Sequence, residues 1–156
     1  MNRRQFIVAG ASSVAASAAA RALADDPHAE HNKQVPAAAS NGPRPWVRNA
    51  ALIDASADCG KAGEVCLEHC LAQLREGDRS MARCSETVSA MLPMCAALEA
   101  LAIQGSPHLK ALAAVCAKVC RDCEAACKEH AMHHEPCKRC METCRHCAEA
   151  CEKAAA

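Results

Sequence analysis

Cys116-Ala117-Lys118-Val119-Cys120-Arg121-Asp122-Cys123-Glu124-Ala125-Ala126-Cys127 and Cys137-Lys138-Arg139-Cys140-Met141-Glu142-Thr143-Cys144-Arg145-His146-Cys147-Ala148-Glu149-Ala150-Cys151 set the periodicity of the chain. Cysteine recurs at steps of 4, 3 and 4 in the first stretch and 3, 4, 3 and 4 in the second. Steps of three and four mark one face of an α-helix. Charged residues hold the flanks: Lys118, Arg121, Asp122, Glu124 and Lys128, then Lys138, Arg139, Glu142, Arg145 and Glu149. Cysteine thus stands where a bundle helix ordinarily carries leucine.

The same stripe extends over the preceding chain. Cys59, Cys66 and Cys70 continue it with Leu52, Ser56, Gly63 and Leu74; Cys84 and Cys95 continue it with Val88, Met91, Leu98 and Ala102. Punctuation divides the whole into four helical segments. The first runs from about Trp46 to Glu76 and stops at Gly77. The second follows Asp78 or Ser80 as N-cap and reaches Gln104 before Gly105. The third opens at Ser106-Pro107, with proline at the first helical position, and continues to about His130. The fourth opens near Glu135-Pro136 and ends near Lys153. Connections this short make consecutive helices antiparallel neighbours. The expected fold is all-α, an antiparallel up-down four-helix bundle with a cysteine-lined core. Pro93 is the local conflict, and should open or kink the second helix near Ser89.

Composition supports an unusual interior. Of 156 residues 14 are cysteine and 37 alanine, while Leu, Ile, Val and Phe together number 22 and Tyr is absent. A core of leucine and aromatic side chains is excluded. Basic and acidic residues balance at 18 each, with no basic patch for nucleic acid. No Ser/His/Asp set or carboxylate pair can be placed in a cleft, and the inward stripes lack Asp and Glu, so an enzyme is not expected.

Residues 1–24 read as a twin-arginine export signal. Asn2-Arg3-Arg4-Gln5-Phe6-Ile7 is followed by an uncharged stretch from Ile7 to Ala20 and by Ala22-Leu23-Ala24, a small-x-small cleavage site. The stretch is too short for a transmembrane helix, and no other segment reads as one. Removing Arg3, Arg4 and Arg21 leaves 15 basic against 18 acidic residues. Residues 25–45, with Pro27, Pro36, Pro43 and Pro45, read as a flexible leader carrying the solvent-exposed His28 and His31. Residues 46–156 form the bundle. Twin-arginine export carries folded proteins, so thiols are buried or metallated before they meet the oxidising periplasm, the expected location.

Neighbouring helical positions hold Cβ atoms about 5–6 Å apart, whereas a disulfide wants about 3.5–4.5 Å. Pairs within one helix therefore suit a shared metal better than a disulfide, since metal–sulfur bonds of about 2.3 Å place two thiolates roughly 4–5 Å apart. Five Cys-x-x-x-Cys pairs qualify: Cys66/Cys70, Cys116/Cys120, Cys123/Cys127, Cys140/Cys144 and Cys147/Cys151. Cys-x-x-Cys links fall at Cys120/Cys123, Cys137/Cys140 and Cys144/Cys147. Thiolates select Cu(I), Zn(II) or Fe–S clusters. Charge favours Cu(I): with bridging thiolates, about one ion per cysteine leaves the core neutral, whereas four thiolates on Zn(II) leave −2. Zn(II), Fe–S clusters and inter-helix disulfides remain the alternatives.

The twin-arginine leader, the four helices and the inward Cys-x-x-x-Cys repeats resemble the bacterial copper storage proteins, a family of four-helix-bundle Cu(I)-binding proteins. The resemblance spans about Trp46 to Lys153 together with the leader type. It implies storage of many Cu(I) ions by the 14 cysteines, assembly into homotetramers, and supply of exported copper enzymes. Cys59 and Cys84 lack a cysteine four residues away, so any share in the metal depends on partners across the bundle.

Metal is expected to enter at the bundle end that gathers Met81, His130, Met132, His133 and His134, with Met141 nearby, because thioether and imidazole hold Cu(I) more weakly than thiolate. The other end is apolar, with Leu52, Leu98, Leu101, Ile103, Leu109 and Leu112. His69 and His146 read as surface residues. Met91 falls on the inward stripe and reads first as a core filler, second as a soft ligand.

Overall fold

The four cysteine stripes lie on four long helices in the computed structural model, which describes residues 42–156. The export signal and most of the leader fall outside the described residues. A short helix α1 (Pro45–Arg48) precedes α2 (Ala50–Arg75); a 3-10 turn (Arg79–Met81) leads into α3 (Ala82–Gln104); α4 (Leu109–Lys128) and α5 (Glu135–Ala155) follow. Helix α2 packs on α3 and α5, and α4 packs on the same two, while the diagonals α2–α4 and α3–α5 keep their backbones apart and meet through core side chains such as Cys66 with Cys127 and Cys95 with Cys147. This is a square, antiparallel four-helix bundle.

The local chemistry of the ends explains where the helices differ from the sequence expectation. The first segment is two helices rather than one. Asn49 leaves helical geometry at φ −100°, ψ 11°, and its Nδ2 donates to the carbonyl of Ala102 at 2.7 Å. That carbonyl belongs to the last turn of α3, where its one backbone donor is the distant Gly105 N–H at 3.3 Å. Gly105 beyond it adopts φ +66°, the left-handed conformation that glycine favours. A Cβ on Gly105 would fall 2.7 Å from the Pro45 ring. Helix α1 thus packs beside α2 and α3 at this end of the bundle, pinned by Asn49 and by the missing side chain of Gly105.

Asp78 accepts from the Ser80 backbone N–H at 3.0 Å and from its hydroxyl at 2.6 Å, so it caps the 3-10 turn as the sequence suggested. Ser106 accepts from His108 N–H at 3.2 Å. It caps a turn rather than the helix, and α4 starts at Leu109, two residues later than the proline position implied.

Pro93 does not open α3. The helix runs unbroken to Gln104, although the ring nitrogen has no proton for the Ser89 carbonyl. Residues Arg79–Gln104 are also long and apolar enough to cross a membrane by composition, which the sequence reading had not credited. In the bundle this helix buries its stripe of Cys84, Val88, Met91, Cys95, Leu98 and Ala102 against its neighbours.

All fourteen cysteines are buried, and large apolar side chains are few: Leu52, Met81, Val88, Met91 and Leu98. Ala62, Ala102, Ala113, Ala117, Ala126 and Ala148 fill the seams. A small side chain at a helix seam lets the backbones approach, which keeps a core of compact thiols close-packed.

Candidate metal centre

The four helices bring the cysteines together in five overlapping groups, within each of which the sulfurs lie inside 4.8 Å of one another. From the end holding the α2–α3 and α4–α5 connections, the first is Cys66, Cys70, Cys84 and Cys137. Next come Cys66, Cys127 and Cys140, then Cys123, Cys140 and Cys144. The far half holds Cys59, Cys95, Cys120 and Cys147, then Cys116, Cys147 and Cys151. Each of the fourteen belongs to at least one group. Cys66 and Cys140 link the first three groups and Cys147 the last two; the 3.5 Å contact of Cys59 with Cys144 joins the two runs into one file. From Cys137 to Cys151 it extends about 21 Å at the helical rise of 1.5 Å per residue.

Cysteines four apart are sulfur neighbours along one helix: Cys116–Cys120 and Cys140–Cys144 at 3.9 Å, Cys123–Cys127 and Cys147–Cys151 at 4.0 Å. Cys66/Cys70, Cys140/Cys144 and Cys147/Cys151 share a group, whereas Cys116/Cys120 and Cys123/Cys127 link neighbouring groups. The members of each Cys-x-x-Cys link fall in different groups and carry the file from one level to the next. Cys59 and Cys84, which lack a cysteine four residues away, find partners across the bundle. Cys59 lies 3.5 Å from Cys144 and Cys84 lies 3.4 Å from Cys127. Every cysteine is free. The closest of these sulfurs are well outside the roughly 2.05 Å of a disulfide bond. Separations near 4.0 Å are what three sulfurs around one metal give at bond lengths of about 2.3 Å.

Proton exchange within the file is collective. A thiolate forms where neighbouring thiols donate to it, and those donors then hold their own protons more tightly. Cys116 is pushed down to about 5, first by the Cys120 thiol. Cys66 is raised, first by its hydrogen bond to Cys127 and also by burial. Cys144 is raised by Cys123 and Cys140 as well as by burial. Charge cannot accumulate along a dry row of sulfurs unless cations replace the protons.

Beyond Cys70 and Cys137 stands a group of histidines. His69 Nε2 and His134 Nδ1 share a hydrogen bond of 2.8 Å, and the His130 ring meets His134 edge-on at 6.3 Å between centroids. Burial, then the neighbouring His69 and His130, lower the pKa of His134. His69 is therefore not the surface residue its sequence position suggested; it is half-buried and belongs to this cluster. The other predicted uptake residues separate. Met132 is 88% exposed and His133 is exposed, on the outer side of the loop. Met81 is fully buried in the core, and Met141 packs half-buried against it. His146 is exposed, as expected.

Met91 fills the core, as its place on the inward stripe implies. Its Sδ receives the thiol of Cys95 at 3.3 Å and that of Cys59 at 3.5 Å. The opposite end of the file is closed by Leu52, Leu98, Ala102 and Ala113, all buried.

A family model described as copper storage protein matches residues 47–156. A cysteine-rich protein of Bacillus subtilis strain 168, YhjQ, described as uncharacterised, is 31% identical over 90 residues, covering 58% of this chain and 80% of its own. Among solved structures, apo copper storage protein 3 of Bacillus subtilis superposes with a TM-score of 0.61 at 32% identity, over 69% of this chain and 98% of its own. The Cu(I)-bound copper storage protein BsCsp3 gives a TM-score of 0.62 at 31% identity, over 69% and 97%. Helical architecture, buried free thiols in overlapping groups and the family match agree: the chain belongs to the copper storage protein family.

Proposed function

We propose that this protein stores many Cu(I) ions along the interior of its bundle, with Cys59, Cys66, Cys70, Cys84, Cys95, Cys116, Cys120, Cys123, Cys127, Cys137, Cys140, Cys144, Cys147 and Cys151 as thiolate ligands. The observation that carries the reading is the continuity of the file, in which two runs of overlapping groups use every cysteine and meet at Cys59 and Cys144. A monovalent ion that accepts two or three sulfurs fills such a file, each thiol releasing its proton to solvent as about one Cu(I) replaces that charge. Zn(II) suits the two four-thiol groups taken singly. Their shared members, Cys66 and Cys147, tie each to a neighbouring group of three thiols, one ligand short of a closed tetrahedral Zn(II) site.

Storage rather than turnover fits an interior whose buried side chains include one polar group, Ser56, among the described residues. Uptake and release are assigned to the end holding His69, His130 and His134, whose imidazoles offer weaker, exchangeable nitrogen ligands on the path to Cys70 and Cys137. Export by the twin-arginine route to the periplasm, assembly into homotetramers and supply of exported copper enzymes belong to the same proposal.

Anaerobic titration of Cu(I) into the reduced protein, against a chromophoric chelator, tests the reading. Uptake of roughly ten or more ions per chain with helicity retained supports it. Saturation at one or two overturns it.

A further inference from the structure

One sulfur in the file is not a thiol. Met91 is fully buried on the inward stripe of α3, and it precedes Cys95 by four residues, the spacing of the Cys-x-x-x-Cys pairs. Cys95 and Cys59 both point their S–H at its Sδ, from 3.3 and 3.5 Å. These two cysteines belong to one group with Cys120 and Cys147. The thioether therefore stands beside a metal-competent set at contact distances like those among the thiols themselves.

The facing helix is shaped to receive it. Gly63 occupies the α2 stripe between Cys59 and Cys66. A Cβ there would come within 2.5 Å of Met91 Cε and 3.0 Å of Leu92 Cδ2. The absent side chain leaves the hole that holds the Met91 methyl, and this seats Sδ against the two thiols. Filling that hole needs only carbon. Presenting a lone pair to Cys59 and Cys95 needs the thioether, a soft donor suited to Cu(I).

We propose that Met91 Sδ is a fifteenth sulfur ligand, completing a Cu(I) site with Cys59 and Cys95. The inference rests on the storage reading and adds a neutral donor to it. Two thiolates and one thioether around Cu(I) carry a net −1, whereas three thiolates carry −2. In a dry interior the smaller charge costs less, and this level of the file depends less on bridging to neighbouring coppers.

Selenomethionine-labelled full-length protein, loaded anaerobically with Cu(I), provides the test. X-ray absorption at the selenium edge is compared with that of labelled Met91→Leu, and the copper count is taken on both. The expected result is copper at bonding distance from selenium in the parent and loss of that contribution in Met91→Leu. About one copper per chain should also pass to the chelator roughly tenfold more readily in the variant. Identical selenium spectra for parent and variant, with ten or more coppers still bound, would overturn this inference alone. A parent that binds one or two coppers fails the storage reading itself. Met91→Ile serves in the same comparison if circular dichroism shows that the leucine variant does not fold.

Discussion

Cys59 on α2 and Cys144 on α5 hold their sulfurs 3.5 Å apart, and this contact joins the two halves of the thiol file. Cys144 belongs to the group with Cys123 and Cys140, Cys59 to the group with Cys95, Cys120 and Cys147. Cys59→Ser keeps the side-chain shape but replaces the soft sulfur. Copper capacity should fall by about one ion, since each bridging thiolate balances about one Cu(I). The metal-free protein should lose about 1–3 kcal/mol where the buried hydroxyl lacks a full partner. Chelator competition and urea unfolding read the two effects separately.

Gly63→Ala should separate stability from copper binding. Alanine in a helix gains up to about 1 kcal/mol over glycine, and Met91 Cε is the movable end of its side chain. Metal-free stability should therefore stay within about 1 kcal/mol of the parent, while Sδ is pushed from Cys59 and Cys95. The copper-retention profile should resemble that of Met91→Leu, measured by the same chelator competition.

On the proposed uptake path the histidine pair should govern rate rather than capacity. His69→Ala or His134→Ala should leave the total copper bound unchanged and slow its uptake several-fold, followed by stopped-flow transfer from a chelator. Burial and its histidine neighbours lower the pKa of His134 below the usual 6.5, so its lone pair is free at pH 7. Uptake should slow as pH falls below that depressed value, where the imidazole takes a proton. The sign for stability is the same. The unfolded chain takes the proton first, so this group's contribution is full above about 6.5 and is lost as pH falls towards the folded pKa.

Copper should also hold the fold together. The core has few large apolar side chains, and metal bound to the folded state adds its binding free energy to stability. Loading to capacity should raise the thermal midpoint by about 10 °C or more, and removal by a strong chelator should reverse it. Calorimetry of the metal-free and loaded forms makes the comparison.

The bundle was legible because its signal is local: cysteines three and four residues apart define a face, and Gly77, Asp78 and Gly105 punctuate it. The long-range facts were not. Asn49 divides the first segment because its side chain caps Ala102, 53 residues away, and no periodicity records that. His69 lies beside the stripe and reads as solvent-facing until His134, 65 residues later, is folded against it. Met91 shows its place on the stripe, but the hole that aims its sulfur is made by Gly63 on another helix. Met81 and Met132 both follow from the loop positions, yet packing draws one wholly inside and leaves the other outside.

Leu52, Leu98, Ala102 and Ala113 close the bundle end opposite the histidines, where Asn49 ties α1 to Ala102 and Pro45 sits on Gly105. An interior shut at one end has depth as well as capacity. With uptake and release at the histidine end, as proposed, ions near Cys116 and Cys151 would stand behind all the others, and the store would empty in the reverse of the order in which it filled. Its most recent copper is current account, and its oldest is reserve.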